Sequence, residues 1–424
     1  MRTLGLVLLL LVFLLAAAAA DAAYRAKCVP GEVSSPTCTW WEGKVTFVSD
    51  GDTLDVRIRG QGVRRVRLTG INAMELQRYS SSASKRRGDC HAREATALVE
   101  SHVKTSRLRV RLAAQKASSR SGRRLRRSVW VRSGGRWQDL ARIELAAGLA
   151  LWLPNGDEWA HNREYAELAA RAVAARNDLY DPDACGIGPD QDVPVTLALG
   201  WDADGSDDGN LNGEWVDIRN GGLRPLRLGG WFFRDSSLRP STKRHPPGYE
   251  FPAAAVVAAG ASVRLRMGCG TNDAREFHWC QDGTVFENVT GGPRHVGDGG
   301  YLFDPQRDLR ASFLYPCLEA CVDSAAGRVR IDAQPRRPEA MTIVNTSSGP
   351  VDLSDHVLKL RNRGRPGQFV FGHVFPPGTV IASGDSLRYE HPTEYRYSDN
   401  GGVVELRTLD DALTACADWG FGHC

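Results

Sequence analysis

The stretch from Val45 to Ile71 narrows what this chain can fold into more than any other. Val45–Val48 and Leu54–Ile58 alternate apolar and polar residues, the period of a half-buried strand. Between them lies a tight polar turn, Asp50-Gly51-Asp52-Thr53. Val63–Ile71 follows as a third strand, with Val66 and Leu68 on one face and arginines on the other. Glu94–Val103 then places Ala95, Leu98, Val99 and Val103 on one side of a helix. Leu108–Leu112 and Ser128–Val131 add strands, and Asp139–Gly148 and Arg163–Asn177 read as Ala-rich helices, the first ended by Gly148. Five short strands, one interposed helix and two closing helices predict an OB-like five-stranded barrel with helices (α+β) over residues 44–186, with Asp181-Pro182-Asp183 near its end.

A chain of 424 residues is too long for one core. From about Asp190 it contains an internal repeat. Val216–Leu228 matches Thr342–Leu353, each a strand, a polar turn and a short apolar return. Tyr249–Leu265 matches His373–Tyr389, and Gly297–Phe303 matches Ser398–Val404, in the same order. Alternating strands with frequent turns predict two immunoglobulin-like β-sandwiches, 190–323 and 326–424, so the whole chain reads as multidomain and mainly β.

The N-terminus has Arg2, an apolar run from Leu4 to Leu15, then alanines with small residues at Ala20 and Ala22. This predicts a signal peptide over 1–23, followed by an N-terminal segment 24–43. No second such run exists, so a secreted protein with no transmembrane segment after cleavage is expected. Ten cysteines, an even number, suit an oxidising compartment. Cys28–Cys38, Cys269–Cys280 and Cys416–Cys424 are short-range candidate pairs, and Cys90 with Cys185 would close a longer loop. Zinc is the competing use, but Cys317 and Cys321 have no obvious partner pair. The Ala/Arg/Gly-rich composition suggests a bacterial source, which discounts Asn288-Val289-Thr290 as a glycosylation site.

Between Lys85 and Arg127 stand fourteen Lys/Arg against three acids, Asp89, Glu94 and Glu100, so this region attracts polyanions, with phosphate the obvious one. Beside it the acidic turn offers oxygen ligands to a hard cation such as Ca²⁺. Asp52 would bind directly with Asp50 behind it, and Asn72 and the backbone carbonyl of Ala73 would complete the protein side. Glu75 is placed to take a proton from a water near the metal, and Arg67 to neutralise charge on phosphoryl oxygens, with a second arginine from another loop completing the clamp. Taken alone, Asp-Gly-Asp is an ordinary hairpin turn; Arg67 and Glu75 at strand spacing in a basic domain add the chemistry.

Residues 44–180 resemble the staphylococcal nuclease (thermonuclease) family. The likeness runs through Val48-Ser-Asp-Gly-Asp-Thr-Leu54, Val66-Arg-Leu-Thr-Gly-Ile71, Glu75, Gly122-Arg123, Gly148-Leu149-Ala150 and the closing helix to Tyr180. The resemblance implies a Ca²⁺-dependent phosphodiesterase acting on DNA and RNA. It implies Asp52 as metal ligand, Asp50 as the outer aspartate, Glu75 as general base, and Arg67 and Arg123 as phosphate clamps. Three positions depart from the family: Asn72 replaces a metal carboxylate, Met74 a proline and Ser121 a tyrosine. An amide oxygen brings no charge, so weakened metal binding is expected. Arg124, Arg126 and Arg127 are expected to track nucleic-acid phosphates, and Trp152 to stack on a base, with barrel packing as its other use.

Residues 190–323 resemble the lamin tail domain, through Asn210-Leu-Asn-Gly-Glu-Trp-Val-Asp-Ile-Arg-Asn220, Leu228-Gly-Gly-Trp231, Phe251-Pro252, Gly260 and Gly297-Asp298…Tyr301-Leu302. The stretch 326–424 looks like a divergent second copy. The resemblance implies binding or display modules without catalytic residues. The loop Asp202–Asn210 alternates acids but lacks the Glu that closes an EF-hand, so a solvated turn is expected there. Three functions follow: a secreted Ca²⁺-dependent nuclease tethered by its sandwich modules, a nucleic-acid or surface-binding protein whose site has weakened, or an adhesin with a vestigial enzyme domain.

Overall fold

In the N-terminal part, the longer strands turn apolar residues inward, and these meet. The strands are β1 (Ala23–Lys27), β2 (Thr37–Val48), β3 (Thr53–Ile58), β4 (Gly62–Leu68), β5 (Ile71–Ala73), β6 (Arg109–Ala114), β7 (Arg120–Ser121), β8 (Arg124–Ser133) and β9 (Arg136–Asp139). This is a computed structural model describing residues 23–182, 185, 192–203, 207–236, 248–289, 292–336, 339–362, 371–390 and 397–424. The expected signal peptide, apart from Ala23, and the expected boundary near 186–190 lie outside the described residues. The chain is mainly β and groups into two compact units. One runs to Leu151 and includes Asn155–Tyr165; the other comprises Trp152–Pro154 and the residues from Ala166 onward.

In the first unit the order β2-β3-β4-β8-β6, with β6 pairing back onto β2, makes a closed five-stranded barrel. Only the β4–β8 pairing is parallel among these five contacts. Leu54, Val56 and Ile58, alternate residues of β3, are buried together with Val66, Leu68, Val110, Leu112, Val129 and Val131. Each such side chain contributes roughly 1.5–3 kcal/mol on burial. Asp139 caps the Leu140–Ala147 helix by accepting the Ala141 N–H at 3.0 Å, and Gly148 ends it at φ 74°. The helices Ala92–Thr105 and Asn162–Ala175 fall close to their expected places, and a short extra helix spans Ala83–Arg87.

Two expectations change. The barrel starts before residue 44, because Thr39–Lys44 of β2 pairs with Arg109–Ala114. The Cys28–Cys38 disulfide and buried Trp40 tie the N-terminal segment into that strand. Val63–Ile71 is not one strand: the chain breaks at Gly70, with φ 82°. A Cβ there would lie 2.4 Å from the Tyr165 ring, so only glycine fits both the backbone and the space.

In the second unit the repeat is visible strand by strand. The first copy orders Val195–Gly200, Trp215–Asn220, Ser262–Arg266 and Glu276–His278 in one sheet, and Tyr249–Glu250, Phe232–Asp235, Asp298–Phe303 and Leu309–Tyr315 in another. The second orders Val329–Gln334, Ala340–Asn345 and Ser386–Glu390, then Phe371–Val374, Val357–Asn362, Gly401–Arg407 and Leu413–Gly420. Each copy also has a two-stranded ladder, Leu226–Arg227 with Val256–Val257 and Val351–Asp352 with Val380–Ile381. One buried asparagine does the same work twice. The Asn220 amide donates to the carbonyls of Arg224, Val257 and Ala258 at 2.7–3.2 Å. Asn345 donates to Gly349, Ile381 and Ala382 at 2.8–3.1 Å. Each copy has its own buried apolar cluster.

The copies are joined by Lys359, 1% exposed. Its Nζ lies 3.1 Å from Asp202, 3.3 Å from Asp411 and 3.8 Å from the centre of the Trp201 ring. Trp201 in turn donates to the Leu409 carbonyl at 2.8 Å. Within the acidic loop, Asp202 is thus paired with a lysine. Asp207 accepts from the Ala203 N–H at 3.1 Å and the Asn288 amide at 2.6 Å; residues 204–206 lie outside the described set, as does Thr290 of the sequon.

All ten cysteines are disulfide-bonded: Cys28–Cys38, Cys269–Cys280, Cys317–Cys321 and Cys416–Cys424, with Cys90 and Cys185 also in disulfide linkage. Cys317 and Cys321 pair with each other, so the zinc alternative loses its thiolates.

Candidate functional site

Strand register builds the site. β3 and β4 pair Thr53 with Arg67, which sets the arginine beside Asp52 at the start of β3. The turn is tight because Gly51 carries no side chain. A Cβ there would lie 2.7 Å from the Ala73 Cβ and 2.8 Å from the Ala95 Cβ. Asp50 accepts the Asp52 N–H at 3.1 Å, an Asx turn that aims Asp52 inward.

Asp52 is 1% exposed and fully engaged. Its Oδ1 accepts from the Thr53 hydroxyl at 2.8 Å and from the Arg67 guanidinium, and its Oδ2 from the Ala73 N–H at 2.9 Å. Arg67, also buried, donates onward to Asn72 Oδ1 at 2.6 Å and to the Ile71 carbonyl at 3.2 Å. The guanidinium therefore bridges Asp52 and Asn72, the two side chains expected to ligate a metal. Ala73 shows Asp52 its N–H.

Glu75 keeps an open face to solvent. Desolvation and then Asp52 push its carboxyl up, while Arg67 and Arg124 pull it down. The Asp50 carboxyl rises to about 7, first through burial, then through Asp52 and Glu75. A fourth acid, Glu144, was not expected here. It is 0% exposed on the Leu140–Ala147 helix, and burial followed by Asp52 holds its carboxyl well above the ordinary range. In the sequence it reads as one more helix charge. Only its phase, alongside buried Leu140, Ala141 and Leu145, could have pointed inward.

The second arginine at this site is Arg124. Its guanidinium donates to the Thr53 hydroxyl at 3.1 Å. Arg123 instead occupies the exposed tip of the Gly122–Arg123 turn joining β7 to β8. Arg126 is half-buried, pairs in register with Arg67, and has its pKa lowered, by burial first.

Two expected nucleic-acid contacts are corrected. Arg127 is buried. It donates to the carbonyls of Ala117 at 2.7 Å, Arg126 at 2.6 Å and Ser119 at 3.2 Å, and lies 4.6 Å over the Trp41 ring. Desolvation pulls it down to about 10, and it acts as a barrel brace. Trp152 is 1% exposed, with no face free to stack on a base. The strand period could have shown the first, because Arg127 shares phase with Leu125, Val129 and Val131. The run Leu149-Ala-Leu-Trp-Leu153 could have shown the second.

The donor set fits a hard divalent cation. Four carboxylates, Asp50, Asp52, Glu75 and Glu144, stand around the turn with two guanidiniums, Arg67 and Arg124, a surplus of two negative charges when all are ionised, and Asn72 adds an amide oxygen. A cavity of about 790 Å³ lined by Tyr24, Trp40, Trp130 and Trp137 is separate and includes none of these groups. No protein-family model matches the chain, and no curated protein matches it.

Proposed function

We propose that the barrel unit is a calcium-dependent phosphodiesterase that hydrolyses DNA, RNA or both. The observation that carries this reading is the convergence of one solvent-facing carboxylate, Glu75, with the Arg67 and Arg124 guanidiniums around the Asp50–Thr53 turn. Asp52 and Asn72 would hold the cation, which would supply positive charge against a phosphate oxygen. Glu75 takes the proton from the attacking water, and its raised pKa brings it nearer to the range a general base needs. Arg124, half-buried at the turn, meets the phosphate and neutralises its developing charge. Arg67 bonds the same Asp52 and Asn72 oxygens, so it would share them with the cation while adding positive charge beside the phosphate. The fourteen basic residues between Lys85 and Arg127 draw the polyanion in.

On the same reading the barrel is thermonuclease-like and the two repeats are lamin-tail-like. The barrel is then of OB type, and the repeats are immunoglobulin-like modules that tether it. The ten disulfide-bonded cysteines support export to an oxidising compartment, and no described helix is long and apolar enough to cross a membrane. A second reading, a weakened nuclease acting mainly as a binding protein, has one observation in its favour: the amide Asn72 donates no charge and is already bonded to Arg67.

A zymogram of the full chain on DNA and RNA gels, with Ca²⁺ or chelator, tests the proposal, with Glu75→Gln as control. Clearing that needs Ca²⁺ and is lost in the variant is expected. Clearing that survives both the chelator and the substitution refutes it, and no clearing under any condition favours the second reading.

A further inference from the structure

We infer that Glu144 is a carboxylate of the cation site, reaching the underside of the Asp50–Thr53 turn and supplying the charge that Asn72 does not bring. The inference rests on the cation-dependent reading above. Three observations carry it. Glu144 is 0% exposed, and neither carboxylate oxygen has a hydrogen-bond partner among the described residues. Its Oε2 lies 3.3 Å from where a Cβ on Gly51 would be, so it points into the bend between Asp50 and Asp52. Its helix neighbours in the same phase, Leu140, Ala141 and Leu145, are buried and apolar.

An isolated carboxylate in such a place is costly, and burying it beside Asp52 adds repulsion. Leucine would fill the same space without either penalty. No described lysine, arginine or amide answers Glu144, so packing alone gives this side chain nothing in return. A divalent cation held at Asp52 answers it by charge. The site then gains a carboxylate from a helix beside Asp52, where Asn72 on the strand offers only an amide oxygen. The Asp50–Glu75 group is thereby more than a surface patch of acids: a fully buried, unpartnered oxygen pair is aimed into it.

The test uses the full-length protein and Ca²⁺ alone as the probe, read by titration calorimetry and by the Ca²⁺-induced rise in melting temperature, neither of which depends on turnover. Glu144→Gln keeps the shape, and Glu144→Leu removes the polar group. Both are expected to weaken the Ca²⁺ dissociation constant roughly 10–100-fold. Both should also melt higher than wild type in chelator. Adding Asn72→Asp to Glu144→Gln should restore tight binding. If both Glu144 variants bind Ca²⁺ as wild type does, Glu144 is no part of the site, while the functional reading stands. If wild type itself neither binds nor is stabilised by Ca²⁺, the inference and the cation-dependent reading fall together.

Discussion

Replacing Arg67 by methionine tests the electrostatics of the turn most directly. In the native protein one guanidinium answers the buried Asp52 carboxylate and also binds Asn72. Without it, Asp52 keeps two neutral donors, the Thr53 hydroxyl and the Ala73 N–H, and faces Asp50, Glu75 and Glu144 with no buried cation. Breaking a buried pair from one side costs about 3–5 kcal/mol. For a unit of this size each kcal/mol is worth roughly 2–4 °C, so the barrel transition should fall by about 6–20 °C in chelator. The substitution also frees the oxygens of Asp52 and Asn72. Ca²⁺ at a hundred times its dissociation constant should therefore return about 2.7 kcal/mol. Arg67→Lys should fall between, since an ammonium restores the charge but not the fork. Differential scanning calorimetry of the three proteins, with and without Ca²⁺, measures all of this. The reasoning fails if the methionine variant melts within about 2 °C of wild type in chelator, or if Ca²⁺ stabilises it less than it stabilises wild type.

Asp50 carries a pH signature. Its folded carboxyl sits near 7 against an ordinary 3.8, so between those values the folded protein holds a proton that the unfolded chain has released. Stability is then fully present below about pH 4 and declines as pH rises through 7. In chelator, Asp50→Asn should flatten that decline in melting temperature, and an unchanged slope would refute the assignment. Arg124→Gln should lower cleavage roughly 10²–10³-fold in steady-state assays, while Arg123→Gln stays within a few-fold of wild type; the reverse ranking would return the clamp to Arg123. Gly70→Ala should cost about 2–5 kcal/mol through left-handed backbone and the Tyr165 ring. Tyr165→Phe should cost about 1.5–3 kcal/mol by removing its 2.5 Å hydrogen bond to buried Asp139. Denaturant midpoints distinguish these from a harmless substitution.

The barrel was legible because its signals are local. Leu54, Val56 and Ile58 alternate, Asp139 precedes a helix and Gly148 follows it. The repeat was legible for the same reason: its matched strands and its two asparagines recur in order. What stayed hidden depends on partners remote in sequence. Glu144 looks like any helical acid until the chain brings Gly51 beneath it. Arg123 and Arg124 are adjacent, and only the β7–β8 turn decides which one swings toward Thr53. Gly70 sits in an apolar, strand-like run, and it is the Tyr165 ring that makes the bend obligatory. By chemical type Arg127 and Trp152 read as nucleic-acid contacts, but their neighbours Leu125, Val129 and Leu151 mark an inward face.

Two neighbouring copies with nearly the same strand order raise a problem during biosynthesis. A strand such as Trp215–Asn220 has a near counterpart in Ala340–Asn345, each ending in the same asparagine device, and tandem copies of this kind can exchange strands and become trapped. The covalent links differ between the copies. Cys269–Cys280 staples the first after its third long strand, and Cys416–Cys424 staples the second on its last. Each bridge closes within its own copy over a short span of chain, so an oxidising folding environment would lock correct partners locally before the distant, similar strands could compete.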